Sequence, residues 1–190
     1  MQIKIKRSLF FINTQHHKAF TQEEVKKMWQ AWENGDMFAG LPLLMVYTGM
    51  MPGEVAALEV SNIDVQQRVI TGAGIKTQVR KESAIVLSAV IMPVVEALID
   101  NAENGRIFNY RREHLEELFH KFTARIGIRD LPPYSCRHTT ATVLAVEHGI
   151  PAETLRKYMR WSKTSQMPST YVHPTTDDLK NAAEKMDKPR

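Results

Sequence analysis

The chain has 190 residues, of which 43% are hydrophobic and 24% charged, a balance that suits one globular domain with a sizeable core and excludes disordered or fibrous classes. Its net charge of +4 at pH 7 is a mild lean toward polyanions that does not by itself single out nucleic acid. No apolar run approaches the ~18 residues of a membrane span, the opening MQIKIKRSLFFI lacks a signal peptide's cleavage pattern, and one cysteine, Cys136, cannot close an internal disulfide, so a reducing cytoplasm is the expected setting.

Residues 1–20 show no period and are expected to form an arm or linker left from a longer protein, with one domain over 21–190. Thr21 followed by Glu24 has the capping-box spacing, and Val25, Met28, Trp29 and Trp32 then fall on one helical face. Leu41 to Tyr47 is almost wholly apolar and predicts a buried helix ending at Thr48-Gly49. Pro52 suits a first helical position, so a short helix is expected over Pro52–Val60. Arg68–Thr71 and Ser83–Leu87 are rich in Val and Ile around a polar segment with Gly72 and Gly74. They predict a small antiparallel sheet with Lys76 on it or at its edge. Helical patterns return over Ile91–Ile99, His114–Phe122, Ser135–His148, Ala152–Arg160 and Thr176–Met186, punctuated by Gly149 and Pro151. The expected fold is mainly α with a small antiparallel β-sheet (α+β).

Three segments stand in an order that matters. They are LLMVYTGMMPGEVAALEVSNID (43–64), GIKTQVRKESAIVLS (74–88) and LPPYSCRHTTATVLAVEHGIPAETLRKYMRWSKTSQMPSTYVH (131–173). Together they resemble the tyrosine recombinase (phage integrase) family. Catalytic domains of that family run from Thr-Gly-x-Arg-x-x-Glu through a β-hairpin lysine and a His-x-x-Arg-His box to a Gly-His or Gly-Trp step and a nucleophilic tyrosine. The third segment is the most specific, because Arg-His-Thr, a helix pair and Tyr-x-His occur in one register.

The chemistry of such a set is general. Phosphodiester transfer needs a nucleophile, neutralisation of the non-bridging oxygens and a proton for the leaving oxygen. An arginine fork donates two hydrogen bonds without losing its charge. The resemblance implies Tyr171 as nucleophile, Arg137 as the phosphate-binding arginine and Lys76 as the general acid. Arg80 and Lys81, expected on the same hairpin, become DNA-contacting charges. Trp161 stands where the family has His or Trp, and two readings fit it: an indole N–H donor to phosphate, or a packed ring. His138 reads as support for its neighbours, and Thr140, Leu144 and Glu54 as structural. No cofactor or metal is expected, since the histidines show no ligand spacing.

Two positions depart from the pattern. Met51 replaces the first arginine and cannot bind phosphate, a loss of one charge-stabilising donor that typically costs ~100- to 1000-fold in rate. Tyr134 replaces the histidine of His-x-x-Arg and retains a hydrogen-bond donor but not a proton shuttle near pH 7. The step from Trp161 to Tyr171 is also one residue longer than usual, with Gln166-Met167-Pro168 expected as loop. The expected partners are a double-stranded DNA attachment site and, on it, further copies of the full-length protein as a tetramer. Arg80 or another cation could then fill the gap at Met51. The other readings are an impaired relative that only binds DNA through a helix-turn-helix-like unit at 141–160, and a type IB topoisomerase.

Overall fold

The protein is described from a computed structural model covering residues 18–75, 78–173 and 175–183. The expected arm therefore lies largely outside the described residues, as do Lys76 and the end of the last helix. Thr21 caps α1 (Gln22–Glu33): its side chain accepts from Glu24 N while Glu24 Oε2 accepts from Thr21 N at 2.7 Å. Along the expected face Met28 is fully buried, and Val25, Trp29 and Trp32 pack against the core. The indole of Trp29 donates to the Tyr47 hydroxyl at 3.1 Å. The packed part of the chain starts slightly earlier, since Ala19 and Phe20 are also buried.

A 3-10 turn over Met37–Ala39 leads into α2 (Gly40–Thr48), buried from Gly40 to Val46. Such an all-round apolar helix can only sit at the centre of a domain. Gly49 ends it in the left-handed region (φ 64°), where glycine is unstrained. Then α3 (Pro52–Ala56) starts on its proline but stops short of the expected Val60, where a 3-10 turn over Val60–Asn62 takes over. The sheet holds three short strands in the order β1 (Ile63–Asp64), β2 (Val69–Ile70), β3 (Ile85–Val86), all antiparallel. β2 and β3 fall within the expected strands; β1 was not foreseen, being too short to alternate visibly. The polar segment before β3 holds an unexpected helix α4 (Gln78–Glu82), so Arg80 and Lys81 ride on a helical turn rather than on a strand.

The second half is helical: α5 (Met92–Asp100), α6 (Arg112–Arg125), α7 (Ser135–Thr142), α8 (Ala152–Tyr158), α9 (Met167–Tyr171) and α10 (Thr176–Ala183). The expected continuous helix over Ser135–His148 is α-helical only to Thr142 and π-helical over Val143–Glu147. α9 occupies the segment expected as loop. The buried face of α7 is polar, and α2 satisfies part of it: Thr140 Oγ1 donates to Val46 O at 2.7 Å. Leu155, Met159, Ala141 and Tyr171 form a second small apolar cluster beside the main core. Among the described residues no helix is long and apolar enough to cross a membrane.

Candidate active site

The start of α7 carries three of the singled-out positions. Tyr134 precedes the helix, and Arg137 and His138 lie in its first turn. A cation at a helix N-terminus opposes the dipole and needs compensation. Arg137, only 2% exposed, finds it by donating from Nη1 to Gly49 O and from Nη2 to Met159 O. The left-handed turn at Gly49 aims that carbonyl. Its Nε remains buried with no partner among the described residues, and an unpaired buried donor costs ~1–3 kcal/mol. Burial holds the Arg137 guanidinium below the usual arginine range, helped by the charges of Arg80 and Arg160, while Tyr134 and Glu54 act the other way.

Tyr171 ends α9 and is buried. Its hydroxyl lies 2.6 Å from Nδ1 of His138. Burial raises the Tyr171 phenol above its ordinary range, as does Tyr134, and Arg137 opposes them. Burial also pushes His138 down to about 4, with the charges of Lys18 and Arg137 adding to it. His138 is therefore neutral at pH 7, and in the tautomer carrying its proton on Nε2 it accepts from Tyr171. The rings meet in series: Tyr134 meets His138 edge-on at 5.0 Å, His138 lies tilted to Tyr171 at 6.3 Å and 39°, and Trp161 lies flat on Tyr171 at 5.8 Å and 14°. The Arg137 guanidinium sits 5.8 Å from the centre of the Trp161 ring. Trp161 thus packs on the nucleophile candidate and covers the arginine.

Glu54 organises the other side. Its Oε2 accepts from Met51 N at 2.9 Å and from Arg160 Nη2 at 3.0 Å, and its Oε1 accepts from Arg80 Nη1 at 3.2 Å. The same Arg80 nitrogen touches Met51 Sδ. Glu54 has no exposed side-chain surface, and such a buried carboxylate requires cationic partners. Arg80, expected as a DNA-contacting charge or as the cation that fills the gap at Met51, is nearly buried at 8% exposure against Met51 and Glu54; Lys81 beside it is exposed. Gly74 packs so close to the α4 backbone that an added Cβ would collide with the Arg80 carbonyl. An open cleft of about 540 Å³ adjoins the site, lined by Met51, Gly53, Ile75, Pro133 and Tyr134 among others.

Tyr171, Arg137, Trp161, Tyr134 and Arg80 are therefore linked, directly or through His138 and Glu54, into one assembly. Lys81 is outside it, and Lys76 is outside the described residues. Two members had not been singled out as participants. His138 follows Arg137 in the helix, a one-residue step that swings its ring toward Tyr171. Arg160 is 2% exposed with φ 53°; its sequence signal is an arginine where the recombinase pattern quoted above has the glycine of its Gly-Trp step.

The phage integrase family model matches residues 18–177 of this chain. Among solved structures, XerA recombinase superposes with a TM-score of 0.68 at 16% identity, covering 90% of this chain and 64% of its own. The Tn1549 transposon integrase in complex with transposon right end DNA gives 0.69 at 18% identity, covering 88% and 65%. The XerH site-specific recombinase bound to difH substrate gives 0.69 at 17% identity, covering 88% and 54%. The chain thus spans about two thirds or less of the length of each of these proteins. No curated protein matches the sequence significantly.

Proposed function

The chain belongs to the phage integrase family, and on that premise we propose that its domain cleaves and rejoins double-stranded DNA at a specific site through Tyr171. The observation that carries this reading is the placement of the Tyr171 hydroxyl 2.6 Å from a neutral His138, beneath Trp161 and next to Arg137. The Tyr171 oxygen attacks the scissile phosphorus, and its proton passes to His138 Nδ1. The bond from phosphorus to the 5′-oxygen breaks, leaving a 3′-phosphotyrosyl ester. Lys76 is proposed to protonate that leaving oxygen. Arg137 offers its guanidinium to the non-bridging oxygens, with Trp161 and Tyr134 as further donors. The 5′-hydroxyl of a partner strand reverses the step, so the bond energy is conserved in the ester. Lys81 is exposed and suited to a backbone phosphate contact. The full-length protein is proposed to act as a tetramer on its attachment site.

The second reading, a relative that binds DNA but no longer cuts it, draws on Met51. The two separate in one experiment. A suicide DNA substrate carrying the attachment site is mixed with the chain, and covalent protein–DNA adducts are read on a denaturing gel. We expect an adduct with the natural chain, none with Tyr171→Phe, and undiminished DNA binding by that variant. Adduct that persists in Tyr171→Phe removes Tyr171 as nucleophile. Binding without adduct, restored by Met51→Arg, establishes the second reading.

A further inference from the structure

Arg160 has no part in the step above, yet it is held at some cost. With φ 53° it occupies the left-handed region, where a Cβ crowds the following carbonyl and glycine alone is unstrained. Its side chain has no exposed surface. Burial pulls its pKa down, with the charge of Arg80 adding to it, while the charge and hydrogen bond of Glu54, and to a lesser degree Tyr158, oppose them. One nitrogen, Nη2, meets Glu54; Nε and Nη1 are buried with no partner among the described residues. Arg137 Nε is in the same condition, and Arg137 Nη2 is bonded to the carbonyl of Met159, the residue preceding Arg160. The two forks are therefore tied to one turn of chain, and both keep unused donors.

We propose that Arg160 is the second phosphate-binding arginine of this protein, standing in for the guanidinium that Met51 lacks. The inference rests on the DNA-cleaving reading and names a substrate contact for it. The position is set by Glu54, whose Oε2 receives both Met51 N and Arg160 Nη2. The Arg160 fork accordingly lies beside the backbone from which an arginine at 51 would have grown, reaching it from the turn that follows α8. A clamp on Glu54 alone would use one N–H and would be met by lysine. The remaining Nε–H and Nη1–H groups are what a fork presents to a tetrahedral anion. Arg80, holding Glu54 from its other oxygen, positions the carboxylate and through it Arg160. Entry of a phosphate requires the Trp161 ring to move off Arg137.

Inorganic phosphate tests this without a DNA site. Its dissociation constant is measured by isothermal calorimetry at fixed ionic strength for the natural chain, Arg160→Lys, Arg160→Gly and Met51→Arg/Arg160→Gly, with folding checked by circular dichroism. Lysine keeps the ion pair with Glu54 but has all its donors on the one nitrogen that Glu54 holds and lacks the planar fork, and glycine fits the backbone angle. We expect both single variants to bind phosphate at least ~10-fold more weakly, and the double variant to recover most of that loss, as fits one charged donor. Should Arg160→Gly not fold, Arg160→Lys carries the test alone. Unchanged phosphate affinity in folded Arg160→Lys, or no phosphate binding by the natural chain, overturns the proposal. A folded double variant as weak as Arg160→Gly overturns the exchange of one arginine for the other. If Arg160-dependent phosphate binding holds but no Tyr171 adduct forms on DNA, the cleavage reading fails and the anion site stands.

Discussion

His138 shows what a single side chain contributes here. Its pKa is about 4, lowered first by burial and then by the charges of Lys18 and Arg137, against ~6.5 in an unfolded chain. Above pH 6.5 it is neutral in both states and carries no penalty. As pH falls from 6.5 toward 4 the unfolded chain takes up a proton that the folded chain refuses, so stability falls through that window and levels below it. A second fall follows at lower pH from Glu24. Burial would raise that carboxyl, but hydrogen bonds from Arg129 and the Thr21 backbone outweigh it and hold it at about 2. Urea titrations between pH 7 and 4 are expected to show the first decline in the natural chain and a flatter profile in His138→Gln. An unchanged slope in that variant removes His138 as its source. Tyr171 and Arg137 could be nominated from the sequence because their residue types and order are themselves the signal. Arg160 carried only one mark there, the replacement of the pattern's glycine, because its backbone angle and its buried partner 106 positions away in the chain are not written locally.

At the scale of elements, the termination of α2 governs the site more than any strand does. Gly49 sits at φ 64°, and a Cβ there would meet Met159 Sδ at 3.0 Å and Thr140 Cγ2 at 3.5 Å. Gly49→Ala is therefore expected to cost ~1–3 kcal/mol, from the left-handed angle and from overpacking. It would also swing the Gly49 carbonyl away from Arg137. Chemical denaturation reads the first effect and adduct yield the second; a fully stable, fully active Gly49→Ala would show that neither constraint operates. The helices read from the sequence were found from apolar spacing, as in α1, from an unbroken apolar run, as in α2, or from a proline at the start, as in α3. α4 and α9 were missed because five residues cannot display a period, and α9 is nonetheless the element that carries Tyr171. The π-helical stretch over Val143–Glu147 likewise has no sequence mark of its own: it follows α7 without a break in the apolar pattern and differs only in hydrogen-bond register.

For the whole molecule, net charge and buried charge have separate roles. The overall +4 includes Arg80, Arg137 and Arg160, which are collected in the interior, each at most 8% exposed. On the proposed reading, exposed cations such as Lys81 supply long-range attraction to a duplex, and the buried arginines act on a phosphate delivered among them. DNA affinity is therefore expected to fall steeply with salt, by about 0.9 in log K per log unit of salt for each phosphate neutralised. Phosphate binding at the buried site should respond far less, because partly buried pairs are poorly screened. Fluorescence anisotropy with a labelled duplex from 50 to 300 mM NaCl measures the first; a flat curve would remove the phosphate-dominated interface.

The sequence by itself determined the family resemblance, the helical class, the capped start of α1 and the buried run of α2, and it nominated Tyr171 and Arg137 as site candidates with Met51 as a departure from the family pattern. These are local or ordered features: residue types, spacings and apolar periods written directly in the chain. The tertiary structure alone decided that Arg80 turns inward to Met51 and Glu54, that His138 is the group against the Tyr171 hydroxyl, that Trp161 lies stacked between Tyr171 and Arg137, and that Arg160 enters the site at all. Each of these depends on the distance between residues far apart in sequence and on the burial of charge. A buried carboxylate must collect its cations from wherever the fold brings them, and no one-dimensional pattern records which ones arrive.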